Sequence, residues 1–113
     1  LYILQLQIMR DVEGAIETLH KAIEVRPDYP LAYNQLGYAL MELEEYKRAE
    51  EAFDTYIKLA PDIANPYDSK GDFYMNTGQH EKAYESYMKA YEIDSGFTMS
   101  EKKARKAKDL MKE

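Results

Sequence analysis

At 113 residues the chain has the length of one domain, and its 45% hydrophobic and 32% charged content is that of a folded protein, not a disordered or collagen-like one. Its net charge of −6 opposes nonspecific binding to nucleic acid, and the absence of cysteine excludes disulfides and thiolate metal sites. No apolar run approaches the roughly 20 residues needed to cross a bilayer.

Residues 1–29 open on the apolar run Leu1 to Met9, with no initiator methionine and no helix-start signal. Residues are therefore expected to precede it, and the cellular compartment stays unassigned. This run reads as the end of one helix. A second helix follows on Ala15-x-x-x-Leu19-x-x-Ala22 and is closed by Pro27-Asp28, since proline disfavours helical geometry in the residue before it. In residues 30–63, apolar positions recur at helical spacing in two stretches, Pro30 to Leu43 and Tyr46 to Leu59, separated by a polar Glu44-Glu45 turn. Residues 64–97 repeat the pattern. There Asn65 is the expected N-cap and Pro66 the first helical residue, and Thr77-Gly78-Gln79 turns the chain into a helix from His80 to Ile93. In residues 98–113, Thr98 and Glu101 have capping-box spacing ahead of a lysine-rich helix over about 99–112. That helix has few apolar positions (Met99, Ala104, Ala107, Leu110 and Met111), as expected of one that shields the end of a stack. Charge is uneven: +3 in residues 98–113 against −9 in residues 1–97.

One offset of 34 residues aligns Ala15, Ala49 and Ala83, and also pairs Gly37 with Gly71, Pro27 with Pro61, Tyr33 with Tyr67 and Met41 with Met75. On Tyr33-x-x-Leu36-Gly37-x-x-Leu40, Ala49-x-x-x-Phe53 and Pro61, and on Tyr67-x-x-Lys70-Gly71-x-x-Tyr74, Ala83-x-x-x-Tyr87 and Ala90, the chain resembles the tetratricopeptide repeat (TPR) family over roughly residues 1–97. It departs from the family in carrying tyrosine for tryptophan, Lys70 for leucine, Tyr56 at a small-residue position and Ser95 for the terminal proline. The resemblance implies an all-α fold, a right-handed α-solenoid of antiparallel helix pairs with a C-terminal capping helix. It implies a single domain of one truncated repeat, two complete ones and the cap. Gly37, Gly71 and the repeated alanines are expected where helices approach closely, leaving room for Phe53, Tyr87 and Leu19.

His20 and His80 are too isolated to suggest a base or a metal ligand, and the carboxylates around Glu44, Glu45, Glu50 and Glu51 read as a solvated face at a helix start. No catalytic residue, cofactor or metal is therefore expected. Of the eleven tyrosines, Tyr33, Tyr67, Tyr74, Tyr84, Tyr87 and Tyr91 have core spacing, each with its hydroxyl toward the rim. Tyr38 instead follows Gly37, and the family's concave-face pattern makes it an aromatic anchor. That pattern carries over to Asn34, Gln35, Tyr38, Met41 and Glu42 in one repeat and to Asn65, Asp68, Ser69, Asp72 and Met75 in the next, with Leu4, Gln7 and Ile8 added by the truncated one. These residues imply a groove for an extended or helical peptide. Asn65, Asp68, Ser69 and Asp72 lack the cationic pairs that would hold a chaperone's acidic tail, so the groove is expected to be acidic, with Lys102, Lys103 and Lys106 partly neutralising it.

The resulting expectation is a non-enzymatic scaffold that binds a protein or peptide. The alternative is structural: the apolar Leu1-Tyr2-Ile3-Leu4 end packs on a further repeat, a second subunit or a fused catalytic domain, and Asn65-Pro66-Tyr67-Asp68-Ser69 resembles repeats appended to bacterial hydrolases. The lysine-rich cap has no interleaved aromatics for base stacking and too poor an apolar face for membrane insertion.

Overall fold

The computed structural model describes residues 2–112. Its six helices are α1 (Tyr2–Val25), α2 (Pro30–Glu42), α3 (Tyr46–Leu59), α4 (Asn65–Asn76), α5 (His80–Ile93) and α6 (Thr98–Met111), with no strand among the described residues. The fold is all-α, of the helix-pair solenoid class. Two compact units divide the chain, Leu1–Leu59 and Ala60–Glu113. In the first, α2 packs on α1 and α3; in the second, α5 packs on α4 and α6.

Each unit contains the same turn and the same close approach. After α2 the Glu45 N–H donates to the Leu40 carbonyl and the Glu44 N–H to that of Met41; after α4 Gln79 donates to Tyr74 and Gly78 to Met75. These paired bonds satisfy the last carbonyls of each helix and require one left-handed residue. Gly78 takes that conformation at φ 75°, whereas Glu44 takes it at φ 60° with a side chain attached. A Cβ added at Gly37 would lie 2.5 Å from the Phe53 ring, and one at Gly71 would lie 2.5 Å from the Tyr87 ring. Both rings are buried because nothing but hydrogen stands beneath them. Ala49 and Ala83 are fully buried on the facing helices. Tyr33 and Tyr67, which stand in place of tryptophan, donate their hydroxyls to the carbonyls of Pro27 and Pro61, each at 2.7 Å.

Three local expectations are corrected. Residues 2–25 form one unbroken helix, not a helix end followed by a second helix. Arg10 stands where Glu44 and Gly78 make their turns, and Ile3 to Met9 are exposed with no helix folded against them, so continuing the hydrogen-bond ladder is the favourable course. For the same reason Ala15, aligned with buried Ala49 and Ala83, is exposed. The capping box does not form: the N-cap is Phe97, Thr98 already lies inside the helix, and the Glu101 carboxylate pairs with Arg105. Asn65 is the first residue of α4 and Ala64 its cap, one position from expectation. Helix α6 buries Ala104, Ala107 and Ser100, while Met99 and Met111 are exposed.

Candidate functional site

In the first unit the expected binding residues lie on α2. Gln35 and Glu42 are exposed, Asn34 and Tyr38 half-buried, and Met41 buried. Helical geometry brings Asn34, Tyr38 and Met41 to one side. Tyr38 also has a packing task, since its ring meets that of Phe53 edge-on at 5.1 Å between centroids and 81° between planes. The Oδ1 of Asn34 is buried and has no hydrogen-bond partner. An acceptor left in that state costs about 1–3 kcal/mol. Leu4, Gln7 and Ile8 are exposed on α1, where the Gln7 amide donates to the Asp11 carboxylate at 3.2 Å.

In the second unit the expected residues lie on α4. Asn65, Asp68, Asp72 and Met75 are half-buried and Ser69 is buried. The two carboxylates are engaged from within the unit. The Ser100 hydroxyl of α6 donates to Asp68 at 2.6 Å, Lys103 Nζ donates to Asp68 at 3.0 Å and to Asp72 at 3.2 Å, and the Tyr87 hydroxyl of α5 donates to Asp72 at 2.6 Å. One ammonium thus bridges two acids on successive turns, which joins three helices. Burial alone would lower the Lys103 pKa, but the hydrogen bond it donates to Asp68 and the charges of Asp72 and Asp68 outweigh it, and the pKa of the ammonium is held above its ordinary value. The expected acidic surface is accordingly neutralised in part by Lys103, whereas Lys102 and Lys106 are exposed. Met75 packs against the cluster of Ala83, Tyr87, Ala104 and Ala107.

Sequence reasoning missed Ser100 and the hydroxyl of Tyr87. The 34-residue register carried a usable signal, since Asp72 aligns with Tyr38 and Tyr87 with Phe53: a carboxylate replaces one ring and the other ring gains a hydroxyl. His20 and His80 do not meet. The ring Nε2 of His20 accepts from Arg48 at 3.4 Å, and among the described residues no group of three or more His, Asp or Glu is placed to hold a metal ion. No helix among the described residues is long and apolar enough to cross a membrane.

Comparison with known proteins agrees with this geometry. Family models described as TPR repeat or tetratricopeptide repeat match residues 11–44, 30–63 and 64–97. The chain is 27% identical over 85 residues to small glutamine-rich tetratricopeptide repeat-containing protein 2 of Mycosarcoma maydis, covering 75% of this chain and 24% of that protein. It is 29% identical over 86 residues to the TPR repeat-containing protein MJ1428 of Methanocaldococcus jannaschii, covering 76% and 15% respectively. The chain therefore spans a quarter or less of these relatives' lengths. Among solved structures, MamA superposes with a TM-score of 0.78 at 30% identity over 88% of this chain and 55% of its own. The first TPR domain of Spaghetti (RPAP3), solved with an HSP90 peptide, superposes with a TM-score of 0.82 over 96% of this chain and 86% of its own, and at 16% identity that likeness concerns the fold alone. With three matched repeats covering residues 11–97, the glycine seats and the repeated turns, the chain belongs to the tetratricopeptide repeat family of protein-interaction scaffolds.

Proposed function

We propose that the chain holds a peptide or protein segment against the first-helix faces of its repeats, on Asn34, Gln35, Tyr38, Met41 and Glu42 of α2 and on Asn65, Asp68, Ser69, Asp72 and Met75 of α4. It acts as a binding module with no catalysis of its own. The observation that carries this reading is the placement of Asn34 and Tyr38, both half-buried, on one side of α2. An amide and an aromatic ring on one helix face suit a ligand backbone N–H and an apolar side chain. With Asp68 and Asp72 already bound to Lys103, discrimination rests more on α2 than on α4. The test is affinity capture from native lysate with wild type and with Asn34→Ala/Tyr38→Ala, after circular dichroism has established that the variant is folded. Partners recovered by wild type should be lost from the variant, and equal recovery of every partner would remove the assignment.

A second reading rests on α1, where Ile3, Leu4, Leu6, Ile8 and Met9 are exposed along a stretch with no charged residue. An uncovered apolar face of this kind suits self-association or an attached domain. A monodisperse monomer by light scattering would exclude self-association.

A further inference from the structure

Helix α6 continues the 34-residue register of α2 and α4, but with different chemistry at the positions that receive a second helix. Tyr33, Gly37 and Leu40 of α2, and Tyr67, Gly71 and Tyr74 of α4, align with Glu101, Arg105 and Lys108 of α6. Where the first two offer a glycine for a ring to lie on, α6 offers a guanidinium paired with Glu101. A helix seated on α6 as α3 is seated on α2 would have to bury the charged Glu101, Arg105 and Lys108, which disfavours that packing.

The same face is concave. A crevice of about 340 Å³ lies between α5 and α6, lined by Tyr84, Met88, Tyr91 and Ala104 and by the charged side chains just named. Lys108 Nζ lies 5.9 Å from the centre of the Tyr84 ring and has no carboxylate partner among the described residues. Glu101 is the crevice's one acid and is already engaged by Arg105. The crevice thus combines aromatic and apolar walls with an excess of positive charge. Helix α6, which forms one of its walls, lies in residues 98–113, which carry +3 against −9 for residues 1–97. An anionic ligand is repelled by the rest of the chain and drawn to this end.

We propose that this crevice docks an acidic peptide segment carrying a bulky apolar side chain. The apolar group lies against Tyr84, Met88 and Tyr91, and a neighbouring carboxylate is held by Lys108 and Arg105. The site shares no residue with the faces of α2 and α4 assigned above.

The experiment titrates the isotope-labelled full chain with N-acetyl-Asp-Leu-Asp-amide, following backbone amide shifts by NMR, with Lys-Leu-Lys and Asp-Gly-Asp peptides of the same form as controls. The expected result is saturable shifts at Tyr84, Met88, Tyr91 and Lys108 with the first peptide only. Lys108→Glu should weaken them by about two- to fivefold or more, as for loss and reversal of one exposed charge contact. Arg105→Gln is the second variant, and for both an unchanged spectrum elsewhere certifies the fold. Equal binding of the Lys-Leu-Lys peptide, shifts confined to α2, insensitivity to both variants, or no shift at these amides would each overturn the proposal.

Discussion

The two units solve one packing problem with different chemistry. In the first, Phe53 lies on Gly37 and is met edge-on by the ring of Tyr38. In the second, Tyr87 lies on Gly71 and its hydroxyl is met by the carboxylate of Asp72, which Lys103 of α6 also holds. The glycine seat is a steric requirement and admits no alternative, so it recurs. The group one residue later is a choice. An aromatic pair joins two helices of the first unit, α2 and α3, whereas the carboxylate of the second draws in a third helix through charge-assisted hydrogen bonds.

The comparison can be broken at the seat. Gly37→Val and Gly71→Val should each destabilise by at least about 3 kcal/mol, because the new side chain must displace a buried ring. Urea titrations should show losses of similar size for the two, and a tolerated substitution at either position would mean that the ring can move.

It can be sharpened at the neighbouring position. Asp72→Asn removes the charge that receives both Tyr87 and Lys103 and should cost about 2 kcal/mol near neutral pH. Because the folded state holds the Lys103 ammonium above its ordinary value, the stability it contributes is present in full below the usual lysine range and is lost as pH rises through the raised folded value. Thermal melts across the alkaline range should therefore fall more steeply for wild type than for Asp72→Asn, and parallel curves would show that the bridge contributes nothing.

The smallest expected difference lies in the turns. Glu44 occupies the left-handed position that Gly78 fills in the other unit, and Glu44→Gly should stabilise by about 0.5–1 kcal/mol by relieving that strain. A melting point that does not rise would indicate that the glutamate side chain offsets the strain through interactions of its own.

The sequence made the fold legible wherever a residue type answers a backbone or steric demand. Glycine beneath a ring, proline after a helix and glycine in a left-handed turn each have few substitutes, so the 34-residue offset was enough to place α2 to α5. The N-terminal helix was misread because its boundary depended on a missing packing partner and not on any breaker; Ala15 carries the repeat pattern but has no helix to face. The candidate binding residues were legible as a face of α2 and of α4, but their availability was not. Whether Asp68 and Asp72 present charge depends on Ser100 and Lys103, which lie 32 and 35 residues from Asp68 and meet it only when α6 folds back.

The hydroxyl bonds of Tyr33 to Pro27 and of Tyr67 to Pro61 have a kinetic consequence. Each joins residues only six apart, and closing so short a loop costs little entropy and takes on the order of 100 ns or less. Each of these two turns can therefore form while the helices are still searching, and mostly local contacts of this kind place the chain among fast-folding topologies.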